Sequence, residues 1–186
     1  MTNKVSDYSP VITLDEAALL YIMIDTDADT ILESRTVTIA SLRTWLSRPR
    51  GALYFSTPAS TTIVAATPIK AAGTTAEMGS NKDVTVATTN RLTNASGLTL
   101  DFRVLVTLSL LKGAGGVTDA IVYVYKNGAA VAGLEIPRHL ADVKGRPISL
   151  SGVVSLADTD YLEIWLETDT GDDLTVSGQF SIEAVK

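Results

Sequence analysis

The run "LTLDFRVLVTLSLL" (Leu98 to Leu111) places an apolar residue at every second position. Leu98, Leu100, Phe102, Val104, Val106, Leu108 and Leu110 would share one face of a strand, and Thr99, Asp101, Arg103, Thr107 and Ser109 the other. A period of two sustained this long is incompatible with a helix, and it requires a second apolar layer to cover the stripe. The same alternation returns near the C-terminus in "DYLEIWLETDTGDDLTVSGQFSIEAV" (Asp160 to Val185). Leu162, Ile164 and Leu166 precede the acidic, glycine-bearing "TDTGDD" turn, and Leu174, Val176, Phe180 and Ile182 follow it. Two alternating stretches around a tight turn read as a β-hairpin.

Other segments between Gly51 and the C-terminus carry the same signal. "GALYFST" reads as a first strand, and "TTIVAATPIKAAG" as one or two short ones, with Pro68 confining the second to an edge. "KDVTVATTNRLTNA" supplies two short segments. In "DAIVYVYKNGAAVAG", Asn127–Gly128 is the preferred pair for a two-residue type I′ hairpin turn. "EIPRHLADVKGRP" reads as a polar loop, and "ISLSGVVSL" as a further strand. Residues 51–186 therefore carry eight to ten strands with turns at sandwich spacing, which predicts an all-β, antiparallel two-sheet sandwich.

Residues 1–48 read as a separate unit, ended by the breakers Pro49 and Gly51 in "SRPRG". "MTNKVSDYS" is a polar arm. Glu16 to Ile24 is apolar on every face and fits a short helix or a strand; "ESRTVTIA" has β-branched character. In "TIASLRTWL" Thr38 is placed to cap a short helix, with Ile39, Leu42, Trp45 and Leu46 on one face. A unit of this size buries too little to stand alone, so it is expected to dock on its own copies or on a larger assembly.

Composition removes several classes of function. The net charge is −6 and no lysine- or arginine-rich run occurs, so nucleic acid is not an expected partner. There is no cysteine, hence no disulfide, thiolate or cysteine-ligated metal. "AALLYIMI" (Ala17 to Ile24) is too short to cross a bilayer and lacks a basic lead-in, so no membrane partner is expected. Charged residues make up only 19% of the chain and hydrophobic ones 46%, a balance that suits a surface partly covered by partner contacts.

No constellation carries catalysis. The single histidine, His139, lies in a polar stretch without a G-x-S-x-G elbow. Asp25, Asp27 and Asp29 imitate the start of an EF-hand loop, but Thr30 and Thr36 stand where the glycine and the bidentate glutamate belong. "DTGDD" (Asp169 to Asp173) offers loop carboxylates, as acidic turns commonly do, and no metal or cofactor is expected from it. Glu163 and Glu167 share a face of one strand, which reads as its outer side and does not form a pair across a cleft. "KGAGG" and "KAAGTT" match no phosphate-binding pattern. Tyr123 and Tyr125 share a strand face, with Trp165 on a strand that could neighbour it. Such rings could stack on sugars, but large residues on one sandwich face more often form core or subunit interface. No catalytic, cofactor-binding or metal-binding residue is assigned, and the protein is not expected to be an enzyme.

Residues 51–186, through "RLTNASGLTLDFRVLVTLSLLKG", "AIVYVYKNGAAVAG" and "ISLSGVVSLADTDYLEIWLETDTGDDLTVSGQFSIEAV", resemble the tumour-necrosis-factor/C1q-like jelly rolls of bacteriophage virion proteins. The long strand, the strand ending in an Asn-Gly turn and the segment "VVSLADTDYLEIWL" carry the resemblance. "AALLYIMIDTDADTILESRTVTIASLRTWL" resembles an adaptor segment at the start of phage fibre and appendage proteins, through Ile24–Asp25 and "TVTIASLRTWL". The resemblance implies a homotrimer packed around a threefold axis. Apolar residues opposite the main stripes, for which Leu105, Leu111, Val122 and Val124 are candidates, would then line the interface. It implies a virion protein of a tailed phage, made in the host cytoplasm: a capsid decoration or head fibre protein anchored by residues 1–48 on the major capsid protein or another virion protein. The alternatives are a short tail fibre or receptor-binding protein recognising host surface glycan, and a carbohydrate-binding module.

Overall fold

The computed structural model describes residues 19–24, 33–38, 48–113 and 116–185, the first two segments as backbone alone. The chain divides into two compact units, Met1–Ser47 and Arg48–Lys186. In the first, β1 (Leu19–Ile24) and β2 (Glu33–Thr38) pair antiparallel, with Leu19 opposite Thr38 and Ile24 opposite Glu33. The apolar run that fitted helix or strand is thus a strand over its described part. The helix expected after Thr38 and the "TDADT" turn lie outside the described residues.

The second unit is a sandwich of two antiparallel sheets with no helix among its described residues. Its strands are β3 (Arg50–Pro58), β4 (Ser60–Thr61), β5 (Ile69–Lys70), β6 (Gly73–Glu77), β7 (Val84–Ala87) and β8 (Arg91–Asn94), then β9 (Leu100–Lys112), β10 (Thr118–Lys126), β11 (Ala129–Leu140), β12 (Arg146–Leu156), β13 (Tyr161–Thr168) and β14 (Leu174–Ala184). The front sheet runs β12-β9-β14-β3-β6, with β4 beside β14. The back sheet runs β11-β10-β13-β8-β7, with β5 beside β13. Two of the strands, β4 and β5, are only two residues long, which is why more strands occur than the pattern predicts.

The alternating stripes form the core. Phe102, Val104, Val106, Leu108 and Leu110 of β9 lie beside Val176, Phe180 and Ile182 of β14 on the inner face of the front sheet. Leu162, Ile164 and Leu166 of β13 and Val122 and Val124 of β10 form the inner face of the back sheet. Val122 and Val124 therefore belong to the core stripe and are no candidates for an interface. Leu98 falls before β9 and is exposed; the stripe instead continues into Lys112, which is buried.

Two segments differ from the expectation. The C-terminal pair is not a hairpin: β13 lies in the back sheet and β14 in the front sheet, so the acidic turn crosses between layers. Alternation reports that one face is buried but not which sheet a strand joins, and a connection of a few residues bridges layers about 10 Å apart. The stretch "EIPRHL" is no loop but the second half of β11, paired with β10 from Glu135 opposite Tyr123 to Leu140 opposite Thr118. Pro137 is tolerated because β11 is an edge strand, where a missing N–H costs no ladder bond. The Asn127–Gly128 turn does join β10 to β11, with φ of 50° and 83° as a type I′ turn needs.

Two buried asparagines do what the pattern could not announce. Asn90 fills the gap between β8 and β5 along β13: its Nδ2 donates to Ile164 O at 2.8 Å. Asn94 Nδ2 donates to the carbonyls of Leu98, Leu156 and Ala157, tying the β8–β9 and β12–β13 connections together at one end of the sandwich.

Gly178 sits inside β14 with φ of 118°, and a Cβ there would lie 2.3 Å from the Thr107 carbonyl oxygen. Backbone cannot move aside as a side-chain tip can. Gly178→Ala is expected to cost about 2–4 kcal/mol from strain and displaced backbone. The outward-facing Ser177→Ala should stay within about 0.5 kcal/mol. Urea denaturation midpoints of the two variants check this.

Candidate functional site

The two outer faces of the sandwich have different chemistry. On the front sheet, register rows can be read strand by strand. One row is Ser151, Leu105, Ser181 and Ala52; the next is Ser149, Thr107, Gln179, Tyr54 and Ala76. None of these carries a charge. Charge begins only at the row Val153, Arg103, Glu183 and Arg50, towards one end of the sheet. Within this face Tyr54, Leu105, Leu111 and Val153 are 42–60% exposed. Tyr54, Phe55, Met78, Thr107, Gly178 and Gln179 line a shallow, open depression of about 510 Å³. A sheet face in water normally alternates to polar and charged residues; here small hydroxyls and apolar groups take their place.

The back sheet presents rings and charges. The sequence puts Tyr123 and Tyr125 on one strand face and Trp165 on a strand that could neighbour it, and the β10–β13 register brings the three into contact. Tyr125 stacks on Trp165 with centroids 4.3 Å apart and planes 10° from parallel, and Tyr123 meets Tyr125 edge-on at 6.0 Å. The rings cover one another in this arrangement, as in a small outer-face core. Tyr123 Oη donates to Glu167 Oε2 at 2.9 Å. Burial, and next that bond to a carboxylate, push the Tyr123 hydroxyl up to about 12.

Glu163 sits on this outer face, as the spacing predicts, yet it is only 3% exposed. Lys70 Nζ donates to its Oε1 at 2.6 Å, Arg91 Nε at 2.9 Å, and Trp165 Nε1 reaches Oε2 at 3.3 Å. Arg91 also lies over the Tyr161 ring, 3.8 Å from its centroid. Burial pushes the Glu163 carboxyl up, but the bonds from Lys70 and Arg91 outweigh it and hold the group below the usual carboxylate range. Its partners came from β5 and β8, short strands far away in sequence, so strand spacing could not reveal them.

The other candidates are dispersed. His139 is on edge strand β11, its Nδ1 2.7 Å from Asp119 Oδ1, with both side chains largely in solvent. In the acidic turn, Asp169 accepts from Asp119 N and Thr118 Oγ1, each at 2.9 Å, and Asp173 accepts from Ile63 N at 3.4 Å. The bond from the Asp119 amide, then that from Thr118, holds the Asp169 carboxyl below its ordinary value. These carboxylates fasten neighbouring segments. Among the described residues no group of three or more His, Asp or Glu side chains is arranged to hold a metal ion.

A carboxyl whose folded pKa lies below its unfolded value stabilises the fold fully above that value, about 4.3 for glutamate, and loses that contribution as pH falls through the folded pKa. Glu163→Gln is therefore expected to destabilise the sandwich by about 2 kcal/mol at pH 7. The figure lies below the usual cost of breaking a buried pair because Lys70 and Arg91, 29% and 38% exposed, can turn to water. The difference from wild type should shrink as pH drops below about 4. Thermal melts of both proteins from pH 3 to 7 read this out.

No protein-family model and no curated protein sequence matches the chain. Solved structures are similar to it in fold. Eiger TNF from S. frugiperda aligns with a TM-score of 0.51 at 11% identity, over 75% of this chain and 94% of that one. The globular domain of zebrafish complement 1qA protein gives 0.45 at 11%, over 75% and 98%, and murine APRIL gives 0.44 at 10%, over 70% and 98%. At such identity the likeness speaks to architecture alone. The sandwich of this chain is an all-β antiparallel jelly roll of the TNF/C1q-like type.

Proposed function

We propose that this protein is a self-associating structural subunit, a homotrimer whose copies meet through the front sheet. The observation that carries the reading is the outer face of β12, β9, β14 and β3, whose middle rows carry no charge, set against the charged, ring-bearing face of the back sheet. Leaving Leu105, Leu111, Tyr54 and Val153 in water gains nothing for a monomer, whereas burying them between copies drives association. In its finer form the reading is a virion protein of a tailed phage, a capsid decoration or head fibre protein. Residues 1–48 would be the anchor on the capsid, and trimerisation would give each appendage several anchors at once. The support for that form is the sequence resemblance of both units to phage appendage proteins.

A short tail fibre or receptor-binding protein is the second reading. The cluster Tyr123, Tyr125 and Trp165 favours it, because the back sheet would stay open when the front sheets meet. A host polysaccharide that changes Trp165 fluorescence would support this reading.

Light scattering on the full-length protein should give a mass of three chains at micromolar concentration. Leu105→Lys, which places a charge in the middle of the uncharged face, should weaken association by at least about a hundredfold while leaving the sandwich folded. A wild-type monomer would sink the trimer. Antibody labelling of virions tests the location.

A further inference from the structure

We propose that Asn127 is a modification site: its spontaneous deamidation is held back by the clamp that ties it to Asp160, and the product forces that clamp open. Asn127–Gly128 is the only Asn-Gly pair in the chain. Asn127 is exposed, and a Cβ built on Gly128 would meet nothing within 4 Å, so the Gly128 nitrogen is unhindered. In such a pair the glycine nitrogen bonds to Cγ of the asparagine. The Cγ–Nδ2 bond breaks, and the glycine amide proton leaves with the amine as ammonia. Water then opens the resulting five-membered imide at either carbonyl, to aspartate or to isoaspartate.

The fold works against the first step. Asn127 Nδ2 donates to Asp160 Oδ1 at 2.6 Å, and Asn127 Oδ1 accepts from Tyr161 N at 3.0 Å. Both ends of the side-chain amide are thus engaged by the start of β13 and the connection before it. The side chain cannot swing onto the Gly128 nitrogen without breaking both bonds. The main chain adds a third tie, Asn127 N to Tyr161 O at 3.1 Å. Asp160 is itself fixed, because its Oδ2 accepts from Lys126 Nζ and from Ala157 N, each at 2.8 Å. Deamidation therefore proceeds from the opened corner alone. Its product then keeps the corner open. A carboxylate at position 127 sets an acceptor of like charge against Asp160 Oδ1 where a donor stood. Asp160 cannot turn aside without releasing Lys126 and the Ala157 amide. Isoaspartate also adds a main-chain atom to a turn whose two residues fix the β10–β11 register. The pair is a one-way record of opening at this end of the sandwich.

Peptide mapping by mass spectrometry, on full chain aged at neutral pH, reads aspartate and isoaspartate at position 127. Native wild type should lose Asn127 at least about tenfold more slowly than the same chain in urea. Asp160→Ala, which removes a charge-assisted bond, should lose it about tenfold faster than native wild type. Gly178→Ala, strained far from this corner, should match wild type. Equal rates in native buffer and in urea would overturn the proposal. So would a Gly178→Ala rate raised as far as that of Asp160→Ala, since the route would then be global unfolding. Hydrogen exchange tests the product without relying on Asp160→Ala. Asn127→Asp should speed exchange of the amides of residues 157–161 at least about tenfold, and adding Asp160→Asn, which sets a donor against the new carboxylate, should slow it again. Wild-type exchange in Asn127→Asp would show that the product leaves the clamp closed, and the proposal would fail.

Discussion

Everything in the sandwich depends on one constraint: the apolar stripe of β9 must be covered along its length. β9 is central to the front sheet, held by β12 on one side and β14 on the other through registers that span almost its whole length. Phe102, Val104, Val106, Leu108 and Leu110 are all but inaccessible to water. No single neighbour could cover such a stripe, which is why a second sheet built around β13 and β10 is needed above it. The cost of ordering those strands is offset mainly by apolar burial, so inward positions tolerate little change.

The connections follow from that requirement. Strands that are consecutive in the chain repeatedly lie in opposite sheets, as β12, β13 and β14 do. Each crossing leaves main-chain groups at the ends of the sandwich that need partners. Asn94, Asp160 and Asn127 supply them at one end, with Asn127 Nδ2 2.6 Å from Asp160 Oδ1. Asp169 and Asp173 do so at the other. The acidic turn that could pass for an ion site is therefore a fastening between strands.

With the inside settled, function falls to the outside. Both sheets bury their inner faces equally well, yet they differ outward. The back face closes over a buried ionic contact at Glu163 with a cover of rings, and its polar groups satisfy one another. The front face presents hydroxyls, alanines and a few exposed apolar side chains, with no ionic network across its middle rows. A pattern in which one face is self-sufficient and the other is not suits a subunit made to be joined on one side.

The sequence by itself determined the fold class, most strand positions, the Asn127–Gly128 turn and the inward stripes, because all of these are local: a period of two, or a pair of residues able to adopt positive φ. It also put Tyr123 and Tyr125 on one strand face and marked Leu105 and Leu111 as apolar residues on the wrong face; that Trp165 lies beside those rings was decided by the β10–β13 pairing. Only the tertiary structure decided which sheet each strand joins, and so it turned the C-terminal hairpin into a crossing and moved Val122 and Val124 into the core. It alone supplied Lys70 and Arg91 to Glu163, and Asn90 to the gap in β13, since those partners are separated by more than seventy residues. The uncharged front face was illegible for the same reason. Its rows are assembled from β12, β9, β14 and β3, and alternation within one strand says nothing about what lies beside it.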